Sequence, residues 1–178
     1  PRVRRQRQMC IRDSVSGDSP VDAGKAAVTV QGDHDAAIEL DGANELKSGS
    51  HNAGLEKNDE RSEDGKTVSG TLTIKDDNDT KGSLTAEGGA GGGAGIGGGT
   101  ESTGSNITIR GGTIEAVGGS NAAGIGDGAG ALSELDTDTP PSNPNHIIIC
   151  GDAEVTAKAG SQILLSLIHI SEPTRPIS

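Results

Sequence analysis

Gly93-Ala94-Gly95-Ile96-Gly97-Gly98-Gly99 has a near copy in Ala122-Ala123-Gly124-Ile125-Gly126-Asp127-Gly128. Between the two lies Asn106-Ile107-Thr108-Ile109-Arg110-Gly111-Gly112-Thr113. Apolar residues two apart, punctuated by glycine in a recurring unit, mark a stacked β architecture. The unit extends in both directions. Ile38-Glu39-Leu40, Glu45-Leu46-Lys47 and Asn52-Ala53-Gly54-Leu55 make a first repeat. Leu72-Thr73-Ile74, Ser83-Leu84-Thr85-Ala86 and Gly95-Ile96 make a second, and Ile107-Thr108-Ile109, Thr113-Ile114-Glu115-Ala116 and Gly124-Ile125 a third. A fourth has Ile147-Ile148-Ile149 and Glu154-Val155-Thr156-Ala157 and stops near Ile163. Upstream, Ala27-Val28-Thr29-Val30 alternates as a half-buried strand does.

The repeats begin at Ile38, Leu72, Ile107 and Ile147, at intervals of 34, 35 and 40 residues. Such periods signal solenoids. The expected fold is therefore all-β: a right-handed parallel β-helix (β-solenoid) of about four coils with three short strands per coil. One side chain in two points inward and stacks on its equivalents above and below. Ile38, Leu72, Ile107 and Ile147 are expected in one row, and Leu40, Ile74, Ile109 and Ile149 in the next. Leu46, Leu84, Ile114 and Val155 line the second face, and Leu55, Ile96 and Ile125 the third. Glu39, Thr73, Thr108 and Ile148 face out. No run has the i, i+3, i+4, i+7 spacing of an amphipathic helix. Two stretches, near 56–70 and 130–145, are dense in charge or proline and read as solvated loops.

The 178-residue chain has 29 Gly, no Phe, Trp or Tyr, and a formal net charge of −11. Its ends do not match its middle. Arg4-Arg5-Gln6-Arg7-Gln8-Met9-Cys10-Ile11-Arg12-Asp13-Ser14 is basic in an acidic chain, and Leu165-Ser166-Leu167-Ile168-His169-Ile170 is apolar. Both resemble a sequencing-library transposase adapter translated in frame. The adapter's mosaic end encodes Leu-Ser-Leu-Ile-His-Ile, and its reverse complement encodes Met-Cys-Ile-Arg-Asp. Residues 1–14 and 165–178 are accordingly read as adapter-derived and set aside, which leaves 15–164 as a fragment of a longer multidomain chain. That fragment keeps 9 Lys+Arg against 24 Asp+Glu, a net charge of −15. Such acidity disfavours nucleic acid and anionic membranes as partners. The apolar stretch 162–170 is too short to span a bilayer, which needs about 20 residues, so no membrane insertion is expected. Cys150 is left alone, without a disulfide framework.

Asn106 to Thr113, followed by Ala122-Ala123-Gly124-Ile125-Gly126, resembles the glycine-rich repeat region of Gram-positive bacterial surface proteins. It is also similar to the carbohydrate-binding right-handed β-helix family. The resemblance covers residues 26–160. It implies a non-catalytic, secreted or cell-surface module that binds polysaccharide, some relatives doing so with calcium. A different class also stands beside it: a purely structural stalk or adhesin segment with no ligand of its own. The missing aromatics remove the usual platform for stacking a sugar.

Few motifs carry chemistry. Gly95-Ile96-Gly97-Gly98-Gly99 lacks the following helix of a dinucleotide fingerprint and the Lys-Ser/Thr of a P-loop. His34, His51 and His146 have no zinc spacing, and Cys150 aligns with outward-facing Arg110. No paired carboxylates stand out for acid–base work, so the expected protein is not an enzyme. Asp76-Asp77-Asn78-Asp79 supplies oxygen ligands at a strand end, and Asp76, Asp77 and Asp79 are the candidate calcium ligands. The turn lacks the Gly and Glu positions of an EF-hand loop.

Overall fold

The computed structural model describes residues 24–61, 67–131 and 147–161. The segments 1–14 and 165–178, residues 132–145 of the stretch 130–145, and His146 lie outside the described residues. The described chain opens with β1 (Val28–Gln31). The first repeat follows as β2 (Ala36–Glu39), β3 (Ala43–Lys47) and β4 (Leu55–Asn58). A small pair, β5 (Glu60–Arg61) and β6 (Thr67–Val68), precedes the second repeat. That repeat is β7 (Leu72–Lys75), β8 (Ser83–Glu87) and β9 (Ile96–Gly97). The third is β10 (Ile107–Ile109), β11 (Thr113–Val117) and β12 (Ile125–Gly126). The last described strands are β13 (Ile147–Ile149) and β14 (Glu154–Lys158).

Successive strands go to three different sheets in rotation. The first sheet runs β13-β10-β7-β2, the second β14-β11-β8-β3 and the third β1-β4-β9-β12. Every pairing within these sheets is parallel, and among the described strands only the β5–β6 pair is antiparallel. The described residues are thus all-β, with a solenoid-like arrangement of three parallel four-stranded sheets. Parallel strands buried on one face by other sheets favour branched aliphatics, which these positions carry.

The rows of side chains follow the sequence pattern in the later repeats. Leu72, Ile107 and Ile147 are partners, as are Ile74, Ile109 and Ile149. Leu84, Ile114 and Val155 share a row, and so do Leu55, Ile96 and Ile125. The first two strands of the first repeat depart by two residues. Ala36, not Ile38, lies opposite Leu72, and Ile38 lies opposite Ile74. Asn44 lies opposite Leu84, and Leu46 opposite Ala86. Glu39 consequently faces Lys75 rather than Thr73. A slip of two keeps every side chain on its face, so apolar matching alone cannot detect it. Leu40 lies past the strand end. It is 2 % exposed and fills the space left over Gly82 and Gly112, where a Cβ would strike its side chain.

The central core cluster is aliphatic. Leu72, Ile74, Ile96, Ile107 and Ile109 are fully buried, each stabilising by about 1.5–3 kcal/mol relative to exposure. Burial fades at the last repeat, where Ile147 is 39 % and Ile149 51 % exposed. There β13 and β14 have a neighbour on one side only among the described strands.

Between the second and third sheets the chain turns through glycine-rich segments whose backbones touch. A Cβ on Gly89 would collide with the Gly49 carbonyl, one on Gly119 with that of Gly89, and one on Gly160 with that of Gly119. The same peptides are tied by hydrogen bonds from Gly89 N–H to Asn52 O (2.9 Å), Gly119 N–H to Gly93 O (2.8 Å) and Gly160 N–H to Ala122 O (3.0 Å). Gly97 also needs its φ of 136°, a region that L side chains avoid.

The stretch near 56–70, expected as a loop, begins as structure. β4 continues to Asn58, and Lys57 takes the inward position two residues after Leu55. Glu60–Arg61 then pairs with Thr67–Val68.

Candidate functional site

The acidic turn joins β7 to β8. Asp76 follows Leu72 and Ile74 at the inward spacing, and its Oδ2 accepts the Gly82 N–H at 3.1 Å. Its Oδ1 is buried without a hydrogen-bond partner. Asp77 points out. Its Oδ2 lies 2.7 Å from Lys75 Nζ, which also reaches Glu39 Oε2 at 2.6 Å. The Asp77 N–H donates to Glu39 Oε1 at 2.6 Å. The Lys75 hydrogen bond holds the carboxyls of both Asp77 and Glu39 below their ordinary pKa, and the two carboxylates raise that of Lys75. Asp79 is exposed. The residue that fixes the turn is Asn78, whose Nδ2 donates to Leu40 O at 2.6 Å and whose Oδ1 accepts the Thr80 N–H at 2.7 Å. Lys75 therefore supplies beside Asp77 the positive charge that a cation would bring. Among the described residues no group of three or more His, Cys, Asp or Glu side chains is gathered to hold a metal ion.

A second polar cluster is buried where the third sheet leads towards the first. Lys57 is 0 % exposed, and its Nζ donates to Ser69 Oγ at 2.9 Å and to Asp59 Oδ1 at 3.5 Å. Asp59 Oδ2 accepts from Ser105 Oγ (2.7 Å) and Thr103 Oγ1 (3.2 Å). The Asp59 N–H donates to Thr103 O at 3.1 Å. Asn106 Nδ2 donates to Ser69 O at 3.0 Å. Asp59 and Ser69 flank the β5–β6 hairpin, so the cluster clasps its base. A buried ion pair is tolerated when its remaining donors and acceptors are satisfied, as here. The sequence reading missed it. The signal was the period of two continuing past Leu55 to a lysine.

Nearby, Glu56 faces outward but is 7 % exposed beneath the Gly97–Gly99 segment. Its carboxylate accepts from Ala53 N–H, Thr29 Oγ1 and Asn58 Nδ2. Burial outweighs these bonds and pushes its pKa up. On the outer surface of the first sheet, Thr71, Asn106, Thr108 and Ile148 line a shallow groove of about 280 Å³.

The remaining candidates lie apart. His34 is exposed beside Asp33, and His51 is exposed with Nδ1 3.4 Å from Thr100 Oγ1. Cys150 is a free, exposed thiol, and the strand register places it beside Arg110. Among the described residues no helix is long and apolar enough to cross a membrane. No protein-family model, curated protein or solved structure matches the chain.

Proposed function

We propose that this chain is a non-catalytic module of a secreted or cell-surface bacterial protein that binds polysaccharide along a right-handed, closed parallel β-helix of about four coils. The observation that carries the reading is the outward rows. Glu45, Thr85, Glu115 and Thr156 are stacked partners on the second sheet, and Thr73 and Thr108 on the first. Rows of hydroxyls and carboxylates at the strand spacing of about 4.8 Å suit a long polymer met at several points. Sugar is then held by hydrogen bonds, since the chain has no aromatic residue.

An acidic glycan needs a divalent ion between it and this acidic chain. Calcium at Asp76, Asp77 and Asp79 is the proposed bridge. The unpartnered Asp76 Oδ1 supports it, and Asp77 must first leave Lys75. The test is retention of the protein on neutral and acidic polysaccharides, in calcium and in chelator. Calcium-dependent retention on polygalacturonate, weakened by Asp76→Ala with Asp77→Ala, supports the bridged form. Retention on no polysaccharide in either buffer leaves the second reading, a structural stalk or adhesin segment, which the uninterrupted hydrogen-bonded sheets favour.

A further inference from the structure

We infer that the groove of Thr71, Asn106, Thr108 and Ile148 is the saccharide subsite, and that it takes an uncharged, hydroxyl-rich ring. This rests on the polysaccharide reading and adds a place and a ligand class to it.

The first observation is where the repeats differ in length. The connections from the third sheet to the first are residues 32–35, 59–71, 98–106 and 127–146. Those from the second sheet to the third are 48–54, 88–95 and 118–124, nearly constant in length. The connections from the first sheet to the second, 40–42, 76–82, 110–112 and 150–153, vary less than those from the third to the first, and the corner of greatest variation in a stacked repeat is often the binding side. The groove opens beside that corner, since Thr71 and Asn106 are the last residues of two of the variable connections.

The second observation is the lining. Thr71 and Thr108 line it with Asn106, and a threonine hydroxyl can both donate and accept. The Asn106 Nδ2 is committed to Ser69 O, which leaves its Oδ1 as an acceptor. Ile148 adds an aliphatic patch for the C–H face of a ring. Among the described residues no ionised side chain lines the groove, so these offer nothing to neutralise a carboxylate or sulfate.

The third observation is preorganisation. Asn106 has a φ of 54°, in the left-handed region, and its amide is fixed on Ser69. Ser69 in turn accepts from buried Lys57. The clasp therefore holds the groove's polar wall from behind, as a binding site requires of its supporting shell.

The experiment uses the full chain on an array of neutral and acidic glycans, with calcium and with chelator. The double variant Thr71→Val, Thr108→Val keeps side-chain shape and removes both hydroxyls. It is expected to lose on the order of tenfold in retention of a neutral glycan. Lys25→Met, at an exposed position ahead of β1, is expected to bind as the wild type does. Ile148→Ser, at an exposed position, probes the same groove should the valines alter folding. Wild-type retention by both groove variants overturns the site and leaves the polysaccharide reading intact. Retention of acidic glycans alone, and only with calcium, also overturns it. Retention of no glycan by the wild type removes the reading itself and the subsite with it.

Discussion

The first sheet and the turns between the second and third sheets hold the same stack together by opposite means. In the first sheet, order comes from side chains. Leu72, Ile74, Ile107 and Ile109 are fully buried and meet their partners in register. At the turns, order comes from having no side chain. Gly89, Gly119 and Gly160 lie so close to the peptide of the preceding repeat that a methyl group has no room. Glycine-rich sequence is often taken for a flexible tether. Here it is closely packed backbone. Flexibility of the unfolded segment is an entropic cost that the stacked hydrogen bonds must overcome.

The largest test of this contrast is Ile109→Asp. It places an unpaired charge where the side chain is 0 % exposed, and the cooperative melting transition is expected to vanish. Gly119→Val comes next. Its Cβ would overlap the Gly89 carbonyl, and a loss of about 3 kcal/mol or more is expected in a denaturant titration. Gly24→Ala is its control, since nothing lies within 4 Å of that position, and it should change stability by about 0.5 kcal/mol or less. Equal losses at Gly119 and Gly24 would show that the glycine stack is not packed as described. Asp59→Ala belongs with the large effects because it leaves Lys57 buried and unpaired, at a cost of about 3–5 kcal/mol. Ile109→Val, which removes one methylene from the aliphatic row, should cost about 0.5–1.5 kcal/mol.

The smallest expected effect is electrostatic. Lys75 lowers the pKa of Glu39 and Asp77 from ordinary values of 4.5 and 3.8. As pH falls, the unfolded chain takes up these protons first. The stability they add is thus full above the ordinary carboxylate range and is lost as pH falls through it to the lowered native values. Glu56 has the opposite sign, because burial raises its pKa and favours its protonated form in the fold. In a Glu56→Gln background, Lys75→Met should flatten the acid limb of the melting-temperature profile slightly. An unchanged limb would remove Lys75 from the account. Both carboxylates are solvent-accessible, so the effect is small.

Much of the architecture was legible in the sequence because its code is local. Isoleucines two apart name a face, and the interval between repeats names the stack. The register of the first repeat was not legible. Ala36 and Asn44 hold positions that larger aliphatics hold elsewhere, and Ile38 and Leu46 offered a more apolar match two residues away. Register there is set by backbone bonds at the corner, from Leu40 N–H to Lys75 O and from Ser83 N–H to Gly42 O. The candidate site was harder still. The acidic turn is conspicuous as a string, yet its charges are partly answered by Lys75. The buried clasp joins Lys57 and Asp59, two residues apart, to Ser69 and to the distant Ser105, and the one local hint of it is a lysine at the inward position after Leu55.

In all three sheets the interstrand hydrogen bonds lie along the direction in which the repeats are stacked. A pull along that direction therefore loads them in series, one repeat after another, and does not shear them together. The terminal repeat, with its half-exposed isoleucines, would yield first. Each opened repeat would lengthen the chain from about 4.8 Å to more than 100 Å, taking roughly 3.3 Å for each of about 35 residues. Under tension the molecule would behave as an extensible cord that pays out in steps.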